Sequence, residues 1–181
     1  MNLKILSLVI IGVCILLPDV CYAFLEKDVH LLNMQNGLAD NTVSAVYKDK
    51  EGFVWFGTRN GLSRYDGRQI TNFEQSNSYP SISNLKEVFD GVLAFVDNGV
   101  FSAFDLKKER FLSVVSSSGQ GIPSRGMLQK NDSLVWVISG SELHLMKRCA
   151  SKEGELRLRI QEKYTGWDNQ DNLLVAITYS S

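Results

Sequence analysis

Asp49-Lys50-Glu51-Gly52-Phe53-Val54-Trp55-Phe56-Gly57-Thr58-Arg59-Asn60-Gly61-Leu62-Ser63-Arg64-Tyr65-Asp66-Gly67 decides how the rest of the chain is read. Val54, Trp55 and Phe56 lie between Gly52 and Gly57. A short apolar run bounded by turn residues predicts a strand buried on both faces. Asn60-Gly61 predicts a tight turn, because both residues accept positive φ at low cost. Residues 62–65 form the returning strand, and Asp66-Gly67 is a second turn of the same kind. Two turn dipeptides this close leave no room for a helix, so the stretch reads as a β-meander.

Working outward, residues 42–48 alternate, with Val43, Ala45 and Tyr47 on one face and Ser44, Val46 and Lys48 on the other. That period of two predicts a strand before the meander, and residues 70–73 add a shorter one after it. The four-strand unit then recurs. Asn60-Gly61 maps onto Asn98-Gly99, 38 positions on, and Tyr65-Asp66 onto Phe104-Asp105, 39 positions on. Trp55 maps onto Leu93 and then onto Trp136, 81 positions away. In the third copy Asp132-Ser133 and Ser139-Gly140-Ser141 take the turns, and a further copy starts near Gln170. A period near 40 with four strands per copy is the sequence signature of a β-propeller blade. A β-sandwich with evenly spaced hairpins is the alternative, and it does not explain the repeated order of turn, apolar strand, turn and return.

The expected fold is therefore all-β: an incomplete β-propeller of about three four-stranded blades plus the start of a fourth. The expected organisation is a signal peptide over 1–23, a leading segment over 24–41 and blade 1 over 42–76. Blade 2 follows over 84–116, blade 3 over 124–161, and the truncated start of blade 4 over 164–181. Propellers close with roughly four to eight blades, so the chain reads as part of something longer and as marginally stable alone.

Lys4 opens a positively charged n-region, and residues 5–17 form an apolar run of thirteen. Pro18 breaks it, and Cys21-Tyr22-Ala23 offers small residues for cleavage before Phe24. The run is shorter than the ~20 residues that span a bilayer. An uncleaved anchor and a lipoprotein signal are the alternatives, the latter matched poorly by Pro18-Asp19-Val20 before Cys21. No later run is apolar enough to span a membrane. Cleavage leaves the formal net charge at −1, the value for all 181 residues. That balance lacks the basic excess a nucleic acid partner needs. It also leaves Cys149 alone, which excludes an internal disulfide or a cysteine-based metal site.

Candidate chemistry is sparse. His30 and His144 have no cysteine or carboxylate cluster at ligand spacing and read as ordinary loop or strand residues. No Gly-x-Ser-x-Gly elbow is present. Gly119-Gln120-Gly121 has no helix after it to cradle a phosphate. Asp49-Lys50-Glu51-Gly52 lacks the full ligand set of a calcium loop and reads as a hairpin turn with solvated charges. Glu162, Asp168 and Asp171 are close in sequence, but nothing sets their separation as acid and base. Trp167 sits in a polar turn and could be exposed, either stacking on a sugar or anchoring the loop. The sequence assigns no catalytic, cofactor-binding or metal residue, and the ligand-binding residues are unknown from it.

Residues 31–73 resemble the first blade of the two-component regulator propeller, the periplasmic sensor of hybrid two-component systems in glycan-degrading bacteria. The resemblance rests on Gly37-Leu38-x-x-Asn41-x-Val43, on Gly52-Phe53-x-Trp55-Phe56-Gly57-Thr58, and on Asn60-Gly61-Leu62-x-Arg64-Tyr65-Asp66-Gly67. Blade 2 has Leu93 in place of the tryptophan, and blade 3 has Trp136 without the Asn-Gly turn. The resemblance implies a full-length protein with stacked propellers, a β-sandwich-like domain, a membrane span, a histidine kinase, a receiver and a DNA-binding domain. It implies a periplasmic, non-catalytic glycan sensor in which an oligosaccharide shifts a dimer. This chain would hold the opening blades, with no cofactor, no nucleic acid partner of its own, and membrane attachment only through the missing parts. A propeller glycosidase or lyase fragment, and a structural or interaction fragment, are the alternative readings.

Overall fold

The computed structural model describes residues 30–74 and 81–165. The chain divides into two units, 1–32 and 33–181. Of the first only residues 30–32 are described, without regular structure. The signal peptide, Trp167, Asp168, Asp171 and all but two residues of the fourth copy lie outside the described residues.

Among the described residues the second unit holds twelve strands in three four-stranded antiparallel blades. Blade 1 is β1 (Val43–Lys48), β2 (Val54–Thr58), β3 (Gly61–Tyr65) and β4 (Ile70–Phe73). Blade 2 is β5 (Ile82–Phe89), β6 (Val92–Asp97), β7 (Val100–Asp105) and β8 (Arg110–Ser116). Blade 3 is β9 (Gly126–Asn131), β10 (Leu134–Ser139), β11 (Glu142–Cys149) and β12 (Glu155–Tyr164). Each blade is a meander in which successive strands pair as neighbours. The inner strands lie side by side, β1 against β5 and β5 against β9.

Burial explains why β6 is so apolar. Val92 and Ala94 face blade 3, and Leu93 and Phe95 face blade 1. All six residues of β6 are buried. The strand expected to be buried on both faces, β2, is not. Trp55 is buried, while Val54 and Phe56 on the other face are half-buried. Among the described residues only one face of blade 1 has a neighbouring blade. Val46 on β1 is accordingly 60% exposed.

The tight turns follow backbone chemistry. Asn98 and Gly99 are the two loop residues of the β6–β7 hairpin, with φ of 48° and 80°, the positive values such a hairpin needs. In blade 1 the loop residues are Arg59 and Asn60, one position earlier, because Thr58 pairs with Gly61. Gly61 is already in β3, with φ 119°, and a Cβ there would meet the Phe73 carbonyl oxygen at 2.8 Å. So the two Asn-Gly pairs align in sequence but sit one residue apart in the hairpins. Asp66 and Asp105 do share a role. Asp66 accepts the N–H of Arg68 and Gln69, and Asp105 those of Lys107 and Lys108, closing the β3–β4 and β7–β8 turns.

Two cores fill the spaces between blades. Between blades 1 and 2, Trp55 stacks on Phe73 with centroids 5.6 Å apart, and Phe104 meets Trp55, Phe73 and Phe111 at 5.5, 4.9 and 5.1 Å. Between blades 2 and 3, Phe89, Phe101, Val135, Val137, Met146 and Leu158 are all buried. Blades 2 and 3 are also joined at their outer edges, where β8 and β12 pair in parallel from Glu155 opposite Ser113 to Leu158 opposite Ser116.

Candidate functional site

The segment before β1 explains the Gly-Leu-x-x-Asn motif. A single 3-10 turn, Met34–Asn36, is capped by Asn33 and ends on Gly37 in the left-handed region. Leu38 is buried, and the Asn41 side chain accepts the Met34 N–H. Ser63 Oγ accepts the Ala39 N–H, and Asn60 Nδ2 donates to the Ala39 carbonyl. These contacts fasten the segment to blade 1.

The β1–β2 turn then reaches into the gap between blades. Asp49 Oδ1 accepts the N–H of Glu51 and Phe53 at 3.0 and 2.9 Å, and Oδ2 accepts the Trp55 indole N–H at 2.7 Å. Asp49 was expected among solvated charges. It is instead the group that orients the buried tryptophan and shapes the turn.

Beside this turn a cleft of about 490 Å³ runs between blades 1 and 2. Its walls come from the β1–β2, β5–β6 and β7–β8 turns. Glu87, only 8% exposed, is the acid at its base. Its carboxylate accepts the Gly91 N–H at 3.0 Å, the Lys50 ammonium at 3.3 Å and the Tyr47 hydroxyl at 3.4 Å. Burial, followed by the Glu87 charge, pushes the Tyr47 hydroxyl above its ordinary value, and the hydrogen bond to Glu87 raises Lys50. Asp90 lies between Lys107 (3.2 Å) and Lys50 (3.8 Å), and Lys107 holds its carboxyl below the usual range. Across the cleft Arg64 pairs with Glu109 at 2.6 Å. The Arg64 guanidinium lies over the rings of Phe53, Trp55 and Phe73 at 4.9 to 5.6 Å.

Glu87, Asp90 and Glu109 each face a cation, and Asp49 is fixed by three N–H donors; Glu51, also on the cleft wall, is exposed. Hydroxyl-bearing ligands could exchange hydrogen bonds with these charged groups. The tryptophan offers no stacking face, being 1% exposed beneath Arg64. Glu87 was not singled out in the sequence. Glu87 lies next to Lys86 in β5, and no local pattern in the sequence marks it as the buried one of the two.

The other candidates stay apart from the cleft. His144 is buried in β11, with Nε2 2.8 Å from Glu142, whose other oxygen meets Lys163 at 2.6 Å. Cys149 is on the same strand and donates weakly to the Lys147 carbonyl at 3.6 Å. Glu162 accepts the Tyr164 hydroxyl at 2.5 Å. The Gly119-Gln120 turn is closed by Ser116, whose Oγ accepts the Gln120 N–H. His30 is exposed. Among the described residues no group of three or more His, Cys, Asp or Glu side chains is arranged to hold a metal ion. No helix among them is long and apolar enough to cross a membrane.

The family model described as two component regulator propeller matches residues 37–60. This stretch is similar to a two-component regulator propeller repeat. It runs from the Gly37 cap through β1, the Asp49 turn and β2, so it includes Asp49, Lys50, Glu51, Phe53 and Trp55 of the cleft wall. Solved structures give the same fold. The extracellular domain of the putative hybrid two component system BT3049 from B. thetaiotaomicron is 20% identical with a TM-score of 0.52, over 65% of this chain and 18% of that one. The extracellular domain of the putative one component system BT4673 from the same organism is 17% identical with a TM-score of 0.56, over 76% of this chain and 21% of that one. The chain thus spans about a fifth of the length of the structures it resembles. No curated protein sequence matches it.

Proposed function

We propose that the chain supplies the opening blades of a periplasmic regulator propeller that senses an oligosaccharide and has no catalytic step of its own. The similarity of residues 37–60 to the two component regulator propeller supports this reading, since Asp49, Lys50, Glu51, Phe53 and Trp55 of the cleft wall fall within the matched stretch. The pairing of Glu87, Asp90 and Glu109 with cations supports binding without turnover. The amino-terminal apolar run followed by Cys21-Tyr22-Ala23 supports export, and the similar solved structures are named as extracellular domains. Exposed apolar side chains on the outward faces, Val46 on blade 1 and Ile160 and Tyr164 on β12, support completion by further blades.

The test is calorimetric titration of the exported chain against a panel of oligosaccharides, with reducing-end release followed in the same samples. Binding without release is expected. Release of new reducing ends would overturn the non-catalytic reading, and absence of binding across the panel would favour a structural or interaction fragment. Light scattering of the same protein addresses completion: self-association through the open faces is expected, and a monomer with a cooperative melt would overturn that part.

A further inference from the structure

A second cleft, of about 420 Å³, opens between blades 2 and 3, bounded by the β7–β8 turn and the β11–β12 loop. Four cations line it: Lys108, Arg110, Arg148 and Lys152. Three carboxylates, Asp105, Glu153 and Glu155, line it too, and each is committed. Asp105 accepts two backbone N–H groups of its own turn, at 3.0 Å each. Glu155 pairs with Arg157 at 2.9 Å. Glu153 holds Lys108 at 2.7 Å and Arg110 at 3.1 Å. Among the described residues neither Arg148 nor Lys152 has a carboxylate within ion-pair distance. Arg148 lies instead over the Phe89 ring, 5.5 Å from its centroid.

Arg110 adds a second, independent observation. Its Nε is buried and is the one such side-chain atom without a hydrogen-bond partner among the described residues. A buried donor left unpaired is costly. The guanidinium lies beside Gly154, where a Cβ would stand 3.8 Å from Cζ and Nη2. Gly154 also has φ of 78°, which disfavours a side chain at that position. The loop therefore meets the guanidinium through Glu153 at Nη2, while Nε stays buried and unpaired. The Glu153 carboxylate already shows what these cations accept, an oxyanion at hydrogen-bond distance.

We infer that this cleft is an oxyanion site that takes a carboxylate or sulfate group, held by Arg110, Arg148 and Lys152. The identity of the larger ligand rests on the sensor reading above; on that reading the ligand is an acidic oligosaccharide rather than a neutral one. The β7–β8 turn separates the two clefts, giving Lys107 and Glu109 to the first and Lys108 and Arg110 to the second. A sugar chain lying across that turn would meet both.

The test uses the exported chain and three probes: sodium sulfate, an oligogalacturonide, and a neutral oligosaccharide of the same length. Each is titrated into the unaltered protein, into Arg148→Ala and into Lys152→Ala. Both replaced residues are exposed, and a circular dichroism melt verifies that each variant folds. Arg110→Lys, which keeps the charge and removes the guanidinium, is the third variant. Sulfate and the oligogalacturonide are expected to bind, each substitution to weaken them about tenfold, the equivalent of ~1.4 kcal/mol, and added salt to weaken them further. Absence of binding by both acidic probes, or affinities unchanged in all three variants, would overturn the site. Equal binding of neutral and acidic oligosaccharides, insensitive to the substitutions, would keep the glycan reading and remove this site. Sulfate binding with no oligosaccharide binding of either kind would keep the site and remove the glycan reading.

Discussion

Asp49→Ala tests the central claim about the repeat, that its acidic turn exists to hold the tryptophan. The substitution removes the acceptor of the Trp55 indole N–H, at 2.7 Å, and of two backbone N–H groups, at 2.9 and 3.0 Å. The turn N–H groups can find water, since Glu51 is exposed and Phe53 half-exposed. The indole N–H has less recourse, because Trp55 is 1% exposed. A hydrogen bond to a charged group contributes about 1.5–3 kcal/mol, and a buried donor left unpaired carries its full desolvation cost. We therefore expect a loss of about 3 kcal/mol, a large share of the roughly 5–15 kcal/mol that holds a typical domain. Asp49→Asn keeps one acceptor oxygen where two are used, so it is expected to lose about half as much. The assay is urea unfolding followed by far-ultraviolet circular dichroism, in the natural background and in Trp55→Phe. With the indole N–H already gone, Asp49→Ala is expected to cost about 1–2 kcal/mol less. An equal loss in both backgrounds, or a loss below about 0.5 kcal/mol in the natural one, would refute the reasoning.

Other perturbations probe the joints between blades. Phe104→Ala empties the centre of the Trp55, Phe73 and Phe111 cluster and is expected to cost about 3–5 kcal/mol by the same urea assay. Gly57→Ala would place a Cβ 2.7 Å from Ile82 Cγ2 and 3.1 Å from its carbonyl oxygen; pushing β2 away from β5 is expected to cost about 1–3 kcal/mol in thermal melts. The carboxyls of Asp90, Glu153 and Glu142 are held below their ordinary range chiefly by Lys107, Lys108 and Lys163 respectively. Their contribution is present above the ordinary carboxylate values near ~4 and is lost as pH falls through the lowered folded-state values; a pH series of melting temperatures should show this, and Lys107→Ala should flatten the Asp90 part. Native-state hydrogen exchange should show β1–β4 amides exchanging before those of β6 and β11, and the reverse order would contradict the joint structure described here.

Much of the fold was legible because strands and hairpins are local. The alternation before the meander became β1, the two Asx turns at Asp66 and Asp105 close equivalent corners, and Asn98-Gly99 is a hairpin loop. The misplacement of Asn60-Gly61 by one residue has a local cause that sequence alone does not show. Gly61 is required by the approach of β4, which begins nine residues later. Burial was legible for the wrong blade. A strand's apolar run does not reveal whether one or both of its faces are covered, and that depends on which blade has two neighbours. The cleft was not legible at all. Glu87 meets Lys50 across 37 positions, and Arg64 meets Glu109 across 45. The parallel pairing of β8 with β12 likewise joins residues about 42 apart and leaves no local pattern.

The joints between blades differ in kind, and that difference bears on where a ligand can act. Blades 2 and 3 share an apolar core and a parallel strand pair, so separating them breaks backbone hydrogen bonds as well as exposing apolar surface. Blades 1 and 2 share an apolar core, but no strand pairing crosses between them. What does cross is side-chain work: the Trp55–Phe104 cluster, Ser44 Oγ donating to the Ile82 carbonyl, and the ion pairs Lys50–Glu87 and Arg64–Glu109. Each ion pair has one exposed and one largely buried partner, Glu87 in the first and Arg64 in the second, and the aromatic cluster adds the apolar part of that joint. Among the described residues the junction of blades 1 and 2 is therefore the softer of the two, having no backbone hydrogen bonds across it. Taking Lys50 from Glu87 would leave that buried carboxylate with the Gly91 N–H and the Tyr47 hydroxyl alone, and moving Arg64 would uncover the rings of Phe53, Trp55 and Phe73, so both contacts resist displacement more than an exposed pair does.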